Sequence, residues 1–459
     1  MKLKVNAKLD PGFTPMSLVC REMRQATADE GQDIVIAIER NKGYTTTYKT
    51  RVYPDGTGHD EENFRFVERI AKSMLWVAGG YKIIIAGSDV IGAKIKEAYT
   101  YGGLRDFDVR FMERVYEDTF SVEVCALEDA PEEKSSAAPI GRHLDGCRIG
   151  FDAGGSDRKV SAVINGESVY SEEVVWHPKL NADPDYHYQG ILEAMKTAAS
   201  HMPRVDAIGV SSAGVYIDNR IMVASLFLKV EDQEIFDKKV KNMYLDVARE
   251  IGEDIPIQVA NDGDVTALAG AMNLNDDAVL GVAMGTSEAV GYVDPQGNIT
   301  GWLNELAFAP VDYNTDAMVD EWSGDYGCGV KYFSQDSVIK LAPAAGIELE
   351  ESLSPAEKLK VVQGLMKEGD PRAAAIYDTI GAYFGYAIAY YSEFYDIKHV
   401  LIMGRVTSGD GGVILLERAQ EVLDTEFPEL AKKIQLHIPD EKSRRVGQSV
   451  AAASLPKIG

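Results

Sequence analysis

Short runs rich in β-branched residues alternate along this chain with segments whose apolar positions recur every three or four residues, a pattern of strands and helices sharing cores. Ile34–Glu39 reads as a strand, and the alternating, β-rich stretch Thr45–Tyr53 as a second. From about Glu61 to Val77 the apolar residues Phe64, Val67, Ile70, Ala71, Met74 and Leu75 fall on one face, which predicts an amphipathic helix. Lys82–Ala86 is a strand ending at Gly87, and helices are expected over Val90–Tyr99 and Val109–Phe120.

The stretch Ala130–Pro139 is small, charged and bounded by prolines, so it reads as a linker, with a surface loop as the plainer alternative. Beyond it the strand–strand–helix–strand order returns. Strands at Ile149–Phe151, Val160–Ile164 and Ser168–Val175 precede a helix over Tyr188–His201 and a strand Ala207–Val210. The N-terminal region, which shows the same order without a phosphate-type turn, reads as a degenerate version of this unit. Further strands are expected at Ile257–Ala260, Ala278–Met284, Ala289–Val293 and Val400–Met403. Ser354-Pro355-Ala356-Glu357 is a capping box, and Asp370-Pro371 opens a long helix in the same manner. The expected division is an N-terminal α/β domain over 1–130, a linker over 131–146, and a larger region over 147–459. That region would form two lobes, 147–260 with the C-terminal helix, and 261–445.

Composition narrows the function classes. The chain has 459 residues, enough for two or three domains. No apolar run approaches ~20 residues, so no membrane span is expected. The N-terminus carries no apolar signal core, and the four cysteines are scattered, so a cytoplasmic protein with free thiols is expected. The net charge of −25 disfavours nucleic acid and anionic membrane as partners.

The candidate chemistry begins at Arg148–Val163. There an apolar strand runs into Asp152, the Gly154-Gly155 turn, Ser156 and then Arg158-Lys159. Turn amides, a hydroxyl and a cation suit a phosphate, and an acid at a strand end suits a hydrated magnesium ion. Alone, this pattern is equally that of a plain β-hairpin. Asn261-Asp262 stands between a strand and a helix, where Asp262 serves either as a cap or as a base.

Taken in order, these segments resemble the ROK group of sugar kinases and sugar-responsive regulators, within the actin and sugar-kinase superfamily. The resemblance spans roughly Arg148 to Pro456. Asp152-Ala153-Gly154-Gly155-Ser156 matches the first phosphate motif. Gly214, Asp218 and Ala224-Ser225-Leu226 fall where the family has its P-G-x-V-D and sugar-contacting A-x-N-L segments. Asn261-Asp262 matches the N-D pair that binds sugar and supplies the base. Met284-Gly285-Thr286 matches the second phosphate motif, Asn304-Glu305 the G-E of the sugar loop, and Met403-Gly404-Arg405-Val406 the adenosine-side G-G-x-V.

The resemblance implies an α/β fold of duplicated ribonuclease H-like (actin-like ATPase) domains with a cleft between them, plus the additional N-terminal domain. It implies Mg-ATP and a sugar as substrates and a homodimer. Asp262 would be the general base, ionised at neutral pH by its helix N-terminus. Asp152 would hold magnesium through water. Gly154, Gly155, Ser156, Lys159, Gly285, Thr286, Gly404 and Arg405 would face the nucleotide, with Arg405 equally suited to a salt bridge. Gly214, Ser225, Asn261, Asp262 and Glu305 would face the sugar, with Glu305 equally a solvated carboxylate.

The departures matter. Phe308 replaces the family histidine, Ser225 an asparagine, and Ser287-Glu288-Ala289 a run of glycines. Glu288 reads as a surface carboxylate that would repel phosphate if it pointed inward. Only Cys328-Gly329 remains of the zinc motif, so no zinc is expected, and Phe308, Tyr326, Tyr332 and Phe333 are expected to pack together instead. Three readings stay open: an ATP-dependent kinase of a hexose or related polyol (glucokinase-like), a catalytically silent sugar or nucleotide sensor without a DNA-binding domain, and a scaffold.

Overall fold

The computed structural model describes residues 2–135, 140–439 and 441–458, and the backbone alone of 441–446. In chain order it forms α1 (Met16–Ala26), β1 (Gln32–Arg40), β2 (Tyr44–Val52), α2 (Asp60–Ala78), β3 (Lys82–Ala86), α3 (Asp89–Ala98), α4 (Asp106–Tyr116) and β4 (Ser121–Cys125). Next come β5 (Cys147–Ala153), β6 (Asp157–Ile164), β7 (Glu167–Val175), α5 (Pro184–Ser200), β8 (Ala207–Ser212), β9 (Val215–Ile217), β10 (Arg220–Val223), α6 (Gln233–Ile235), α7 (Met243–Ile251), β11 (Ile257–Asn261) and α8 (Asp262–Leu274). The remainder is β12 (Val279–Met284), β13 (Glu288–Val293), α9 (Gln335–Leu341), α10 (Pro355–Lys367), α11 (Pro371–Tyr391), β14 (His399–Met403), α12 (Asp410–Glu426), α13 (Pro428–Ala431), β15 (Gln435–His437) and α14 (Glu441–Ala453). The protein is therefore mixed α/β with several sheets. No helix among the described residues is long and apolar enough to cross a membrane.

The chain divides into two compact units. One gathers 1–136, 282–290 and 302–438; the other gathers 137–281, 291–301 and 439–459. The first boundary falls inside the stretch expected to be a linker, of which residues 136–139 lie outside the described residues.

The second unit is built on a five-stranded sheet of order β11-β8-β5-β6-β7. β5, β6 and β7 form an antiparallel meander, while β8 joins β5 and β11 joins β8 in parallel. The parallel strands β5 and β8 are buried along their whole length, as expected of strands covered on both faces. Gly150 of β5 and Gly209 of β8 are register partners. A Cβ on Gly150 would collide with the backbone of Ser449, and one on Gly209 with that of Ala452. The glycine pair thus lets α14 lie directly on the sheet.

In the first unit, a four-stranded sheet of order β2-β1-β3-β4 fills the N-terminal part. Its order repeats the succession of hairpin strands and later strands seen in β6-β5-β8-β11, but β1 and β3 pair antiparallel where β5 and β8 pair parallel. The N-terminal region therefore differs in strand direction from the unit it was expected to echo. A second sheet has the order β13-β12-β14-β15, with 282–290 of its hairpin assigned to this unit.

Two expected boundaries also move. Residues 1–135 do not stand apart: α1 packs on α11, and Ser73 of α2 meets the Tyr390 hydroxyl of α11 at 2.6 Å, while the apolar side chains of α11 cover nearly every face of the helix and are buried accordingly. Asp262 and α8, expected at the head of the second lobe, belong to the unit that holds Asp152.

Candidate functional site

The carboxyl ends of β5, β8 and β11 lie side by side, the place where open α/β sheets present ligand-binding groups. Register pairs Asp152 with Ser211, Ala153 with Ser212, and Asn261 with Ser212. Ser211 Oγ donates to Asp152 Oδ1 at 2.8 Å. Gln448 of α14 joins the group, its Nε2 3.2 Å from Ser211 Oγ and 3.4 Å from the Asp262 carbonyl. Asn261 caps α8, its Oδ1 accepting from the Gly263 amide at 2.7 Å. Its Nδ2 donates to the Gly214 carbonyl at 2.8 Å, which fixes Gly214 in a left-handed conformation (φ 142°). Asp262, the first residue of α8, is half-buried and accepts from the Gly263 amide at 3.0 Å. Ser225 opens a short 3-10 turn and is half-buried.

The turn after β5 is pinned from β7. Buried Trp176 donates from Nε1 to the Gly154 carbonyl at 2.8 Å and from its amide to the Ser156 carbonyl at 3.1 Å. Gly154 is needed because a Cβ there would press on the Asp157 carbonyl at 2.6 Å. Lys159 Nζ sits 2.8 Å from Asp157 Oδ1 and 4.0 Å from Asp152 Oδ2.

Both acids are held above the usual carboxylate range. Burial pushes Asp152 up to about 6; the Ser211 hydrogen bond and Lys159 oppose the shift, while the charge of Asp262 adds to it. Burial also raises Asp262, against the hydrogen bonds it accepts at the start of α8 and against nearby Lys179. The sequence reading expected the helix N-terminus to dominate and ionise Asp262. Desolvation dominates instead, because the carboxyl is tucked beside the strand ends. An acid so raised is closer to the pH at which a base works best.

The remaining candidates lie in the other unit. Gly285 and Gly404 are neighbours: Gly404 (φ 98°) abuts the Met284 backbone, and the Val406 amide donates to the Met284 carbonyl at 3.0 Å. Thr286 and Arg405 are exposed, and no carboxylate among the described residues pairs with Arg405. The sugar-loop residues are held by the end of α2, the Asn304 amide donating to the Val77 carbonyl and the Glu305 amide to that of Trp76, both at 3.0 Å. Tyr395 donates to Asn304 Oδ1 at 2.9 Å.

Two expectations are corrected here. Glu288 is not a surface carboxylate but is buried, with Tyr391 3.4 Å from Oε1 and no partner for Oε2. Burial pushes it up to about 8, and neighbouring Glu305 adds to the rise, so it is neutral at pH 7. Phe308 does not join Tyr326, Tyr332 and Phe333. It packs on Trp76 (4.5 Å between centroids) and Phe107 (5.4 Å), because α2 and α4 present these rings to its turn. Tyr332 and Phe333 do meet, at 6.4 Å between centroids, but Tyr332 also packs on Phe13 and Tyr383, Phe333 on Phe384, and Tyr326 lies under the Arg69 guanidinium. Cys328 is buried with its thiol pushed up to about 12 by desolvation, 3.8 Å from Asp325 Oδ2. Among the described residues no group of three or more His, Cys, Asp or Glu side chains is arranged to hold a metal ion.

Sequence reasoning did not single out Ser211, Trp176 or Gln448. Ser211 alone carried a signal, as the hydroxyl on the strand next to Asp152.

No protein-family model and no curated protein matches the chain. It has structural matches to ROK family sugar kinases and regulators over about two-thirds of its length. The ROK hexokinase from Thermus thermophilus is 16% identical, with 66% of this chain and 97% of that chain covered and a TM-score of 0.49. A ROK family transcriptional regulator homologous to the E. coli MLC protein is 18% identical, covering 68% and 79%, with a TM-score of 0.49. The ROK glucokinase from Streptomyces griseus, in complex with glucose and AMPPNP, is 18% identical over 68% and 100%, with a TM-score of 0.45. At these identities and scores, the chemistry of the present chain rests on its own residues.

Proposed function

We propose that this chain is a ROK-type sugar kinase that transfers the γ-phosphoryl group of ATP to a hydroxyl of a hexose or related polyol. The observation carrying this reading is the pair Asp152 and Asp262, set at the ends of β5 and β11 on either side of β8, joined through Ser211 and Gln448, and flanked by the Gly154-Gly155 turn. Asp262 takes the proton of the sugar hydroxyl as that oxygen bonds to the γ-phosphorus. The bond from phosphorus to the β–γ bridging oxygen breaks, and ADP leaves. Asn261 holds Gly214 and caps the helix that Asp262 opens. The Gly154–Ser156 turn supplies amides to the phosphates, and Ser225 faces the sugar.

Asp152 fits a hydrated magnesium ion: it is a buried acid whose charge is poorly compensated, so a dication would lower the cost of its ionisation. Magnesium, when bound, would spread the charge of the phosphates.

The test is ADP release from Mg-ATP across a panel of sugars, polyols and amino sugars, with Asp262→Asn alongside. Sugar-dependent release that falls by about 100-fold or more in the variant is expected. A second reading, a sugar or nucleotide sensor, draws support from buried Glu288 and from Phe308 packed on Trp76, both departures on the sugar-loop side. Binding of ATP or a sugar without release for any acceptor would favour it.

A further inference from the structure

The lysine that the sequence pattern offers to the phosphates is already engaged. Lys159 is 19% exposed and lies between Asp157 and Asp152, so its charge is shared by two carboxylates. A different lysine lies over the turn. Lys179, in the 3-10 turn Pro178–Leu180 just after β7, packs its side chain against Gly155. A Cβ on Gly155 would sit 2.8 Å from Lys179 Cε and 3.0 Å from Nζ, so the glycine leaves the space the lysine occupies. Lys179 is exposed and has no ion pair or hydrogen bond among the described residues. Its charge also reaches Asp262, whose ionised form it favours.

The backbone beneath Lys179 is firm. Pro178 is buried, and the fully buried ring of His187 brings Nε2 to 3.0 Å from the Pro178 carbonyl and 3.1 Å from that of Leu226, with Nδ1 3.1 Å from the Asp183 carbonyl. Trp176, two residues before Pro178, grips the Gly154 and Ser156 carbonyls. One strand end therefore fixes both the phosphate turn and a free cation above it.

We infer that Lys179, rather than Lys159, is the cation that contacts the terminal phosphoryl group of a bound nucleoside triphosphate as it moves toward the acceptor. Lys159 is a positioning residue that steadies Asp157 and Asp152. The inference rests on the kinase reading for its catalytic part but not for its binding part. A cation aimed at the terminal phosphate stabilises the equatorial oxygens, where negative charge is spread during transfer. Being near Asp262, it also keeps the base ionised to lower pH.

The experiment compares wild type, Lys179→Ala, Lys179→Arg and Lys159→Ala in the full chain, measuring kcat, its pH profile, and the affinities for AMPPNP and ADP with magnesium. For Lys179→Ala the expected result is a loss of about 100-fold in kcat, partly restored by arginine. The acid limb of its kcat profile should move to higher pH, and its preference for AMPPNP over ADP should fall. Lys179→Ala with kcat, acid limb and preference all within about 2-fold of wild type would overturn the inference. So would equal loss of AMPPNP and ADP binding, which marks a residue that only shapes the turn. If wild type itself shows no sugar-dependent turnover, the kinase reading fails while the AMPPNP-to-ADP preference still judges Lys179.

Discussion

Two clusters of buried charge, one in each unit, are built to opposite plans. In the first unit Glu68, Asp108 and Asp325 meet Arg69, Lys72 and Arg105, all at most 4% exposed. Three anions face three cations. Asp325 accepts from Arg69 at 2.9 and 3.2 Å and from Lys72 at 2.7 Å, and pairs with Arg105 at 2.8 Å. Burial alone would raise Asp325, but Arg69 and Lys72 hold it below the usual range, whereas burial still raises Glu68 and Asp108. In the second unit Asp152 and Asp262 sit at strand ends with little compensation, and both are raised. The balanced cluster ties α2 and α4 to the loop around Asp325, whereas the unbalanced one keeps acids ready to bind a cation or accept a proton. The three cations converging on Asp325, which Asp152 and Asp262 lack, rather than burial alone, separate the structural knot from the working site.

The comparison can be broken most forcefully at Asp325. Asp325→Asn leaves three buried cations facing two anions and is expected to destabilise the first unit by about 3–5 kcal/mol, read by denaturant unfolding. A loss under about 1 kcal/mol would mean the knot is not a knot. Asp152 should behave in the opposite sense. Its carboxyl ionises near 3.8 in the unfolded chain and near 6 when folded, so the folded state holds a proton that the unfolded state releases. Stability from this group is present below about 3.8, declines as pH rises toward 6, and is lost above it. In magnesium-free buffer at pH 7, Asp152→Asn is therefore expected to stabilise the protein by about 2–3 kcal/mol while abolishing any magnesium-dependent activity. A destabilised variant would contradict the assignment. A comparable effect, read from its pH dependence, is expected at Glu288, raised to about 8 from 4.5. Between 4.5 and 8 the unfolded carboxyl releases its proton while the folded one keeps it, so the native acid loses stability across that window, and Glu288→Gln should gain about 2–3 kcal/mol more at pH 9 than at pH 6. Equal effects at both pH values would place the carboxyl in water.

Much of the fold was legible where local signals were complete. The apolar run Lys82–Ala86 forms β3 with those bounds, and the Ser354 and Asp370 caps open α10 and α11. Elements without such signals were missed. α1 has Pro15 at its N-cap with no side-chain hydrogen bond, α12 starts from Gly409, and β4 is broken by the charged Glu123 where β3 is an unbroken apolar run. Asp152, the Gly154-Gly155 turn, Asn261 and Asp262 were legible because they are local strand-end patterns, and the fold brings them together. Gln448 and Lys179 were not, because each reaches the site only through tertiary packing, one from the last helix and one from the end of the meander. Glu288 was misplaced although its signal was present: Glu288, Val290 and Tyr292 alternate on one strand face, and all three are buried.

The glycine pair under α14 has a consequence for biosynthesis. β5 and β8 leave the ribosome long before the helix that covers them, so during elongation the strand carrying Asp152 lacks its lid. Nascent chains paused before residue 441 should therefore expose the apolar face of that sheet and recruit chaperones, and only emergence of α14 should render the unit resistant to protease.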